Sequence, residues 1–216
     1  MRVATFNVHH CEGTDRRIDL QRVASVVARL GADVVALQEL DAGLERTGRV
    51  DQPAELARLT GLTIEFHPVL ELEDGRYGIA LAAPAPLGGD KVDLPRLGSE
   101  EPRAAIVARW RDSTLIATHL SRSRAARAAQ IEALAALARE VDPPVVLMGD
   151  LNERRAGLGP LFGAGLSDGP RSRPRLLSGR IDHVLAGRGL AVTSTSTFRS
   201  RASDHPALTA DLERRE

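Results

Sequence analysis

Short apolar runs that end in polar residues recur along the chain, and helical spacings separate several of them. Arg2 to His9 reads as a strand, apolar at first and ending in Asn7 and His9. Leu20, Val23, Val27 and Leu30 then recur at the helical period, with Asp19 placed to cap that helix and Gly31 to stop it. Asp33 to Glu39 is a brief apolar run that delivers Gln38 and Glu39 at its carboxyl end, as a buried strand would. A second helix is expected from Pro53 to Leu59, capped by Asp51 and ended by Gly61, and Leu62 to Phe66 follows as a strand.

Farther along, the pattern turns more β-like. Tyr77 to Ala82 reads as a strand after the turn signal Glu73-Asp74-Gly75. Ala104 to Trp110 and Thr114 to His119 flank Arg111-Asp112-Ser113 as a hairpin would. A long helix is predicted from Ser123 to Val141, with Ile131, Leu134, Ala138 and Val141 on one face and Pro143-Pro144 ending it. Val145 to Met148 is a buried strand that runs into Gly149-Asp150-Leu151-Asn152. The stretch from Glu153 to Arg180 reads as loop with one helical turn near Leu158 to Phe162, and strands follow at Ile181–Leu185, Ala191–Phe198 and Ala207–Leu212. No repeat or linker divides the chain, so its 216 residues are expected to form one domain spanning 1–216. Strands outnumber helices in an α/β order less regular than a doubly wound sheet.

Composition narrows the function classes. Hydrophobic residues make up 43% and charged residues 27%, an ordinary globular profile, and no run reaches the length of a membrane span. With a polar N-terminus unlike a signal peptide and a single cysteine, Cys11, the expected location is cytoplasmic, without integral membrane association or an obligate protein partner. The 29 basic and 29 acidic residues cancel, which argues against tight nucleic-acid binding through a basic face. Only Lys91 is a lysine, so 28 of those 29 basic residues are arginine; this bias weakens any argument from arginine clusters such as Arg122, Arg124 and Arg127, or Arg154, Arg155, Arg171, Arg173, Arg175 and Arg180.

The strand endings carry the chemistry. Asn7, Gln38-Glu39, His119, Asp150 and Asn152, Asp182, and Asp204-His205 supply carboxylates, amides and imidazoles at six places. Hard cations such as Mg²⁺ take oxygen ligands, which Glu39 and Asp204 could provide. His9-His10-Cys11 could suggest a softer metal site, but neighbours on a strand point to opposite faces, and the sequence reads there as a polar strand end. One glycine after the first strand, Gly13, is too few for a dinucleotide-binding turn.

In order, Thr5-Phe6-Asn7, Leu37-Gln38-Glu39, Thr118-His119-Leu120, Gly149 to Asn152, Ile181-Asp182 and Ser203-Asp204-His205 resemble the signature segments of the endonuclease/exonuclease/phosphatase superfamily, which includes DNase-I-like nucleases. Arg76-Tyr77-Gly78 and Glu101-Pro102-Arg103 also look like bacterial members. The resemblance implies a four-layer α/β sandwich, two facing mixed β-sheets flanked by helices. It also implies a divalent-metal-dependent phosphoesterase using Mg²⁺ or Mn²⁺. Glu39 is then the principal metal ligand, with Asn7 and Asp204 beside it. Asp150 activates the water, Asn152 holds the phosphoryl group, Asp182 orients His205, His205 donates to a phosphate oxygen, and His119 stabilises developing charge. Gln38 would brace the site, Tyr77 and Arg103 are weaker candidates for binding substrate, and His183 reads as structural. The leading substrate class is a phosphodiester, in the manner of a nuclease, with a small-molecule, inositol or lipid phosphate as its rival. A catalytically silent binding module on the same fold is disfavoured by the presence of Glu39, Asp150 and His205.

Overall fold

A computed structural model describes residues 1–169 and 179–215. Two six-stranded mixed sheets face one another. In the first, β1 (Arg2–Asn7) lies parallel to β2 (Val34–Ala42) and antiparallel to β12 (Ala207–Arg214); β4 (Gly75–Ala83) and β3 (Thr63–Leu72) extend one side and β11 (Leu190–Phe198) the other. In the second, β7 (Ser113–His119) lies parallel to β8 (Val145–Asp150), flanked by β6 (Ala104–Trp110) and β5 (Asp90–Asp93) on one side. On the other side stand β10 (Asp182–Gly187) and the two-residue β9 (Leu166–Ser167).

Strand alternation builds the layers. Val34 and Ala36 pack between the sheets with Leu81, Leu115 and Val146, whereas Val35 and Leu37 face outward. The outward face is covered by α1 (Leu20–Leu30) and α2 (Gln52–Thr60), through Val23, Val27 and Leu56. On the far side α3 (Arg124–Glu140) and α4 (Gly159–Gly163) cover the second sheet through Ile131, Leu134 and Leu161. Three apolar cores thus separate four layers, the expected sandwich. Asp19 and Asp51 cap their helices by accepting from the amides of Arg22 and Ala54, and Gly31 and Gly61 end them in the left-handed conformation.

Four expectations at the element level need correcting. β1 stops at Asn7, and His9–Cys11 form a tight 3-10 turn rather than continuing the strand. β3 runs to Leu72, well past Phe66, because Pro68 sits at a register break on an edge strand, where its missing N–H costs no ladder bond. β5 has no apolar run to announce it, since Asp90-Lys91-Val92-Asp93 is a polar edge strand. The stretch after Glu153 has its expected helical turn in α4 but also holds, where loop is expected, β9, which pairs with β10. Arg171, Arg173 and Arg175 lie outside the described residues.

Candidate active site

Strand register assembles half of the site. His119 at the end of β7 is opposite Asp150 on β8, and Asp150 is opposite Asp182 on β10, so the three form one row across the second sheet. Gly149 permits the close strand approach beside them, because a Cβ there would collide with the Thr118 carbonyl. The first sheet contributes Asn7, which is opposite Gln38. Glu39 follows in a bulge: between Leu37 and Leu40 the strand carries one residue more than β4 does, and Glu39 takes φ 62°. Such bulges re-aim side chains, and here Glu39 turns into the cleft. The loop before β12 supplies Asp204 and His205, with Ser203 Oγ donating to the Asn7 carbonyl at 2.7 Å and accepting from the His205 amide at 3.1 Å.

Of these groups, Glu39, His119, Asp150, Asp204 and His205 line one cleft of about 490 Å³. Asn7 ties its carboxylates together, its amide nitrogen donating to Glu39 Oε1 at 2.7 Å and Asp150 Oδ2 at 3.1 Å while its oxygen accepts from the His9 amide at 3.0 Å. Asp150 also accepts from the Asn152 amide at 2.9 Å. Burial and the neighbouring Asp182 carboxylate push Asp150 up to about 6, against the opposing influence of His205 and its two hydrogen bonds. Burial works against the charged form of His205 too, but Asp182, only 3.1 Å from Nδ1, together with Asp150 and Asp204, raises it to about 9. His205 is therefore an imidazolium at neutral pH, with Nε2 3.7 Å from Asp150 Oδ2.

His119 is the opposite case. Arg103 Nη1 lies 3.3 Å from its Nδ1 and the Asn152 amide nitrogen 3.2 Å from its Nε2, so donors face both ring nitrogens. Complete burial, reinforced by Arg103 and His205, holds it well below the usual histidine range, in the neutral form. Its Nε2 is 3.6 Å from Asp150 Oδ2 and 3.9 Å from Glu39 Oε1. These separations exceed a hydrogen bond, so His119, Asp150, Glu39 and His205 face a common space rather than one another.

Tyr77 and Arg103 line the same cleft. Arg103 also pairs with Glu101 at 3.2 Å, and burial raises the Tyr77 hydroxyl above its ordinary value. Gln38 is a brace, its Oε1 accepting from Thr5 Oγ1 at 3.1 Å. His183 is turned away, its ring 2.9 Å from the Glu153 carbonyl. Sequence reasoning misses Arg46, discounts Arg122 with the other arginines and sets His9 and His10 aside as a polar strand end, yet all four line the cleft. For the histidines the alternation rule failed once the strand ended; the signal that remained was two polar residues directly after Asn7. Among the expected arginines, Arg127 is taken by Glu153 at 3.0 Å and Arg155 by Asp168 at 2.8 Å, while Arg180 borders a depression beside Asp182 and His205.

A divalent cation fits the donors present. Glu39 and Asp204 both line the cleft with carboxylates, and His9, His10 and Glu39 each bring a ligand atom within 4.8 Å of the others.

Residues 4–205 match the sequence pattern described as the Endonuclease/Exonuclease/phosphatase family. The chain belongs to this family. With membership comes a reaction class, the hydrolysis of phosphoric esters. Solved structures agree on the fold of this phosphoesterase. A family member from Beutenbergia cavernae superposes with a TM-score of 0.79 at 24% identity, covering 99% of this chain and 71% of that one. A mannosyl-6-phosphatase from Bacteroides thetaiotaomicron matches with a TM-score of 0.69 at 17% identity over 99% of both chains. A 3′-phosphatase from Neisseria bound to a product DNA hairpin matches with a TM-score of 0.69 at 20% identity, again over 99% of both. No curated protein matches the phosphoesterase in sequence. Among its described residues no helix is long and apolar enough to cross a membrane.

Proposed function

We propose that this phosphoesterase is a divalent-metal-dependent enzyme, acting as one domain on a phosphodiester by in-line attack of water. The observation that carries the reading is the strand row His119–Asp150–Asp182, whose His119 and Asp150 share one cleft with Glu39 while Asp182 backs the His205 that lines it from the last loop. Glu39 and Asp204 would hold the cation, Mg²⁺ or Mn²⁺, with Asn7 fixing the Glu39 carboxylate. When bound, the cation neutralises charge on the phosphoryl oxygens and lowers the pKa of a coordinated water.

The chain's own groups then divide the work. Asp150, raised toward neutrality by burial, is a stronger base than an ordinary carboxylate and takes the proton of the attacking water at its Oδ2 side. The Asn7 and Asn152 hydrogen bonds fix its orientation. His205 donates from Nε2 to a phosphoryl oxygen, and Asp182 keeps that imidazole protonated and aimed. Neutral His119 and the Asn152 amide steady the same oxygens without adding charge that would compete with the cation. Arg103, and with it Tyr77, binds the flanking part of the ester.

A second reading, a small-molecule phosphate ester, is favoured by two observations. The charge balance is zero, and Leu70, Leu72 and Tyr77 wall one end of the cleft. A cytoplasmic setting suits the single, buried Cys11. The two readings separate on a substrate panel assayed with Mg²⁺ and with Mn²⁺: plasmid DNA, 3′-phosphorylated oligonucleotide, bis-p-nitrophenyl phosphate, sugar phosphates, sphingomyelin and phosphoinositides. Cleavage confined to monoesters removes the phosphodiester proposal. Equal rates after chelation of all divalent metal remove the cation.

A further inference from the structure

The turn after β1 is held in a conformation that ordinary residues avoid. His9, His10 and Cys11 take φ values of 48°, 40° and 62°, three successive non-glycine residues in the left-handed region. Each such residue costs on the order of 1–2 kcal/mol and persists only where its surroundings impose it. Here they do. The His9 amide donates to Asn7 Oδ1 at 3.0 Å, the Cys11 amide to the Val8 carbonyl at 2.9 Å, and the Glu12 amide to the His9 carbonyl at 2.7 Å. From outside the turn, Gln52 Nε2 donates to the His10 carbonyl at 2.7 Å, and the Asp19 amide to the Cys11 carbonyl at 2.9 Å.

The strained backbone changes where the side chains go. In a strand His9 and His10 would face opposite sides; in this turn their ring centroids are 4.4 Å apart and both line the cleft. Glu39, itself at φ 62°, meets them there, so that one ligand atom from each of the three lies within 4.8 Å of the others. Three residues in unfavourable conformations, drawn from two strand ends, converge on one point. The proposed reading gives neither imidazole a part in activating water or in binding the phosphoryl group, so their convergence on Glu39 calls for a role of its own.

We propose that His9 and His10 give the cation at Glu39 a nitrogen face, making a mixed imidazole–carboxylate site that selects Mn²⁺ or a later first-row divalent ion over Mg²⁺. The proposal rests on the phosphoesterase reading and refines its metal. The chemistry follows from ligand preference. Mg²⁺ takes oxygen donors almost exclusively, whereas imidazole suits the transition ions, whose affinities rise along the series from Mn²⁺ toward Cu²⁺. Two imidazoles beside one carboxylate thus strengthen Mn²⁺, Co²⁺ or Zn²⁺ binding and add little for Mg²⁺.

The test reads the metal directly, without turnover. Protein stripped with chelator is loaded with one equivalent of Mn²⁺ and examined by pulsed EPR for nitrogen-14 coupling, and Mn²⁺ and Mg²⁺ affinities are measured by calorimetry. His9→Gly and His10→Gly delete each ring, and glycine accepts the left-handed backbone, so the turn is retained. Expected are imidazole couplings in the wild type, a loss of coupling in each variant, and at least a tenfold fall in Mn²⁺ affinity with Mg²⁺ affinity nearly unchanged. Absence of nitrogen coupling in the wild type overturns the proposal, whatever the variants do; so does full coupling in both variants, or an equal fall for both ions. Glu39→Gln separates this from the parent reading: if it abolishes both ions while the histidine variants change neither, only the nitrogen face falls. If Glu39→Gln leaves both affinities intact, the placement of the metal at Glu39 falls as well.

Discussion

At the scale of single residues, the proposed chemistry rests on the contrast between Asp150 and His205. Replacing Asp150 by Asn keeps its shape but removes the proposed base and turns one of the two oxygens that accept from Asn7 and the Asn152 amide into a donor, and kcat is expected to fall by about 10²- to 10⁴-fold. Steady-state kinetics on any cleaved ester decides this, and an unaltered kcat would clear Asp150 of the role. Activity should rise through pH about 6 as Asp150 ionises and fall through about 9 as His205 loses its proton. In Asp182→Asn the alkaline limb moves to lower pH, because the partner that sustains the imidazolium is gone. Stability follows with a definite sign: the folded pKa of His205 lies above the ordinary histidine value of 6.5, so its stabilisation is complete below 6.5 and lost as pH rises through about 9. Denaturation of chelator-treated protein from pH 6 to 10 should therefore show the wild-type advantage over Asp182→Asn shrinking toward the alkaline end. Asp150, Asp182 and His205 could be read from the sequence because they follow apolar strands inside distinctive segments. The neutral state of His119 could not, since it depends on burial by surrounding elements and on Arg103 and His205 arriving from elsewhere in the chain.

Among the elements, regular strands and capped helices were legible, and local irregularities were not. Asp19, Gly31, Asp51 and Gly61 marked both helices of the first sheet correctly, since capping depends on nearest neighbours alone. The Glu39 bulge, the left-handed turn at His9–Cys11 and the long edge strand through Pro68 each depend on what lies alongside, which spacing does not encode. Gly149 offers a test of how tightly β7 and β8 approach. A Cβ at that position meets the Thr118 carbonyl, so Gly149→Ala should lose about 1–3 kcal/mol in chemical denaturation and displace Asp150 enough to lower kcat. A variant as stable and as active as the wild type would show that the two strands can separate at no cost.

For the whole molecule, charge balance limits how a polyanion can be held. Arg46, Arg103 and Arg122 are the arginines lining the cleft among the described residues, and Arg46 is already engaged by the buried carboxylate of Asp41 at 2.6 Å. If all three met phosphates, affinity for duplex DNA would fall with salt at a logarithmic slope of about −2.7, on the order of 40-fold between 50 and 200 mM. Measuring KM for a DNA substrate across that range tests this. A steeper slope would mean that more cations reach the strand than the cleft provides.

The sheets also differ in how the chain visits them. The second is made from one uninterrupted stretch, β5 through β10, whereas the first begins with β1–β4 and is completed only by β11 and β12. During synthesis, Asn7 and Glu39 emerge early, yet β1 lacks one neighbour until Leu208–Asp211 arrive to pair with Arg2–Thr5. His205 is made just before that strand. A chain still on the ribosome thus exposes an open sheet edge for most of its synthesis and lacks His205 of the proposed catalytic set. The proposed catalytic set is complete only once the chain has reached β12, the strand that joins β1 to β11.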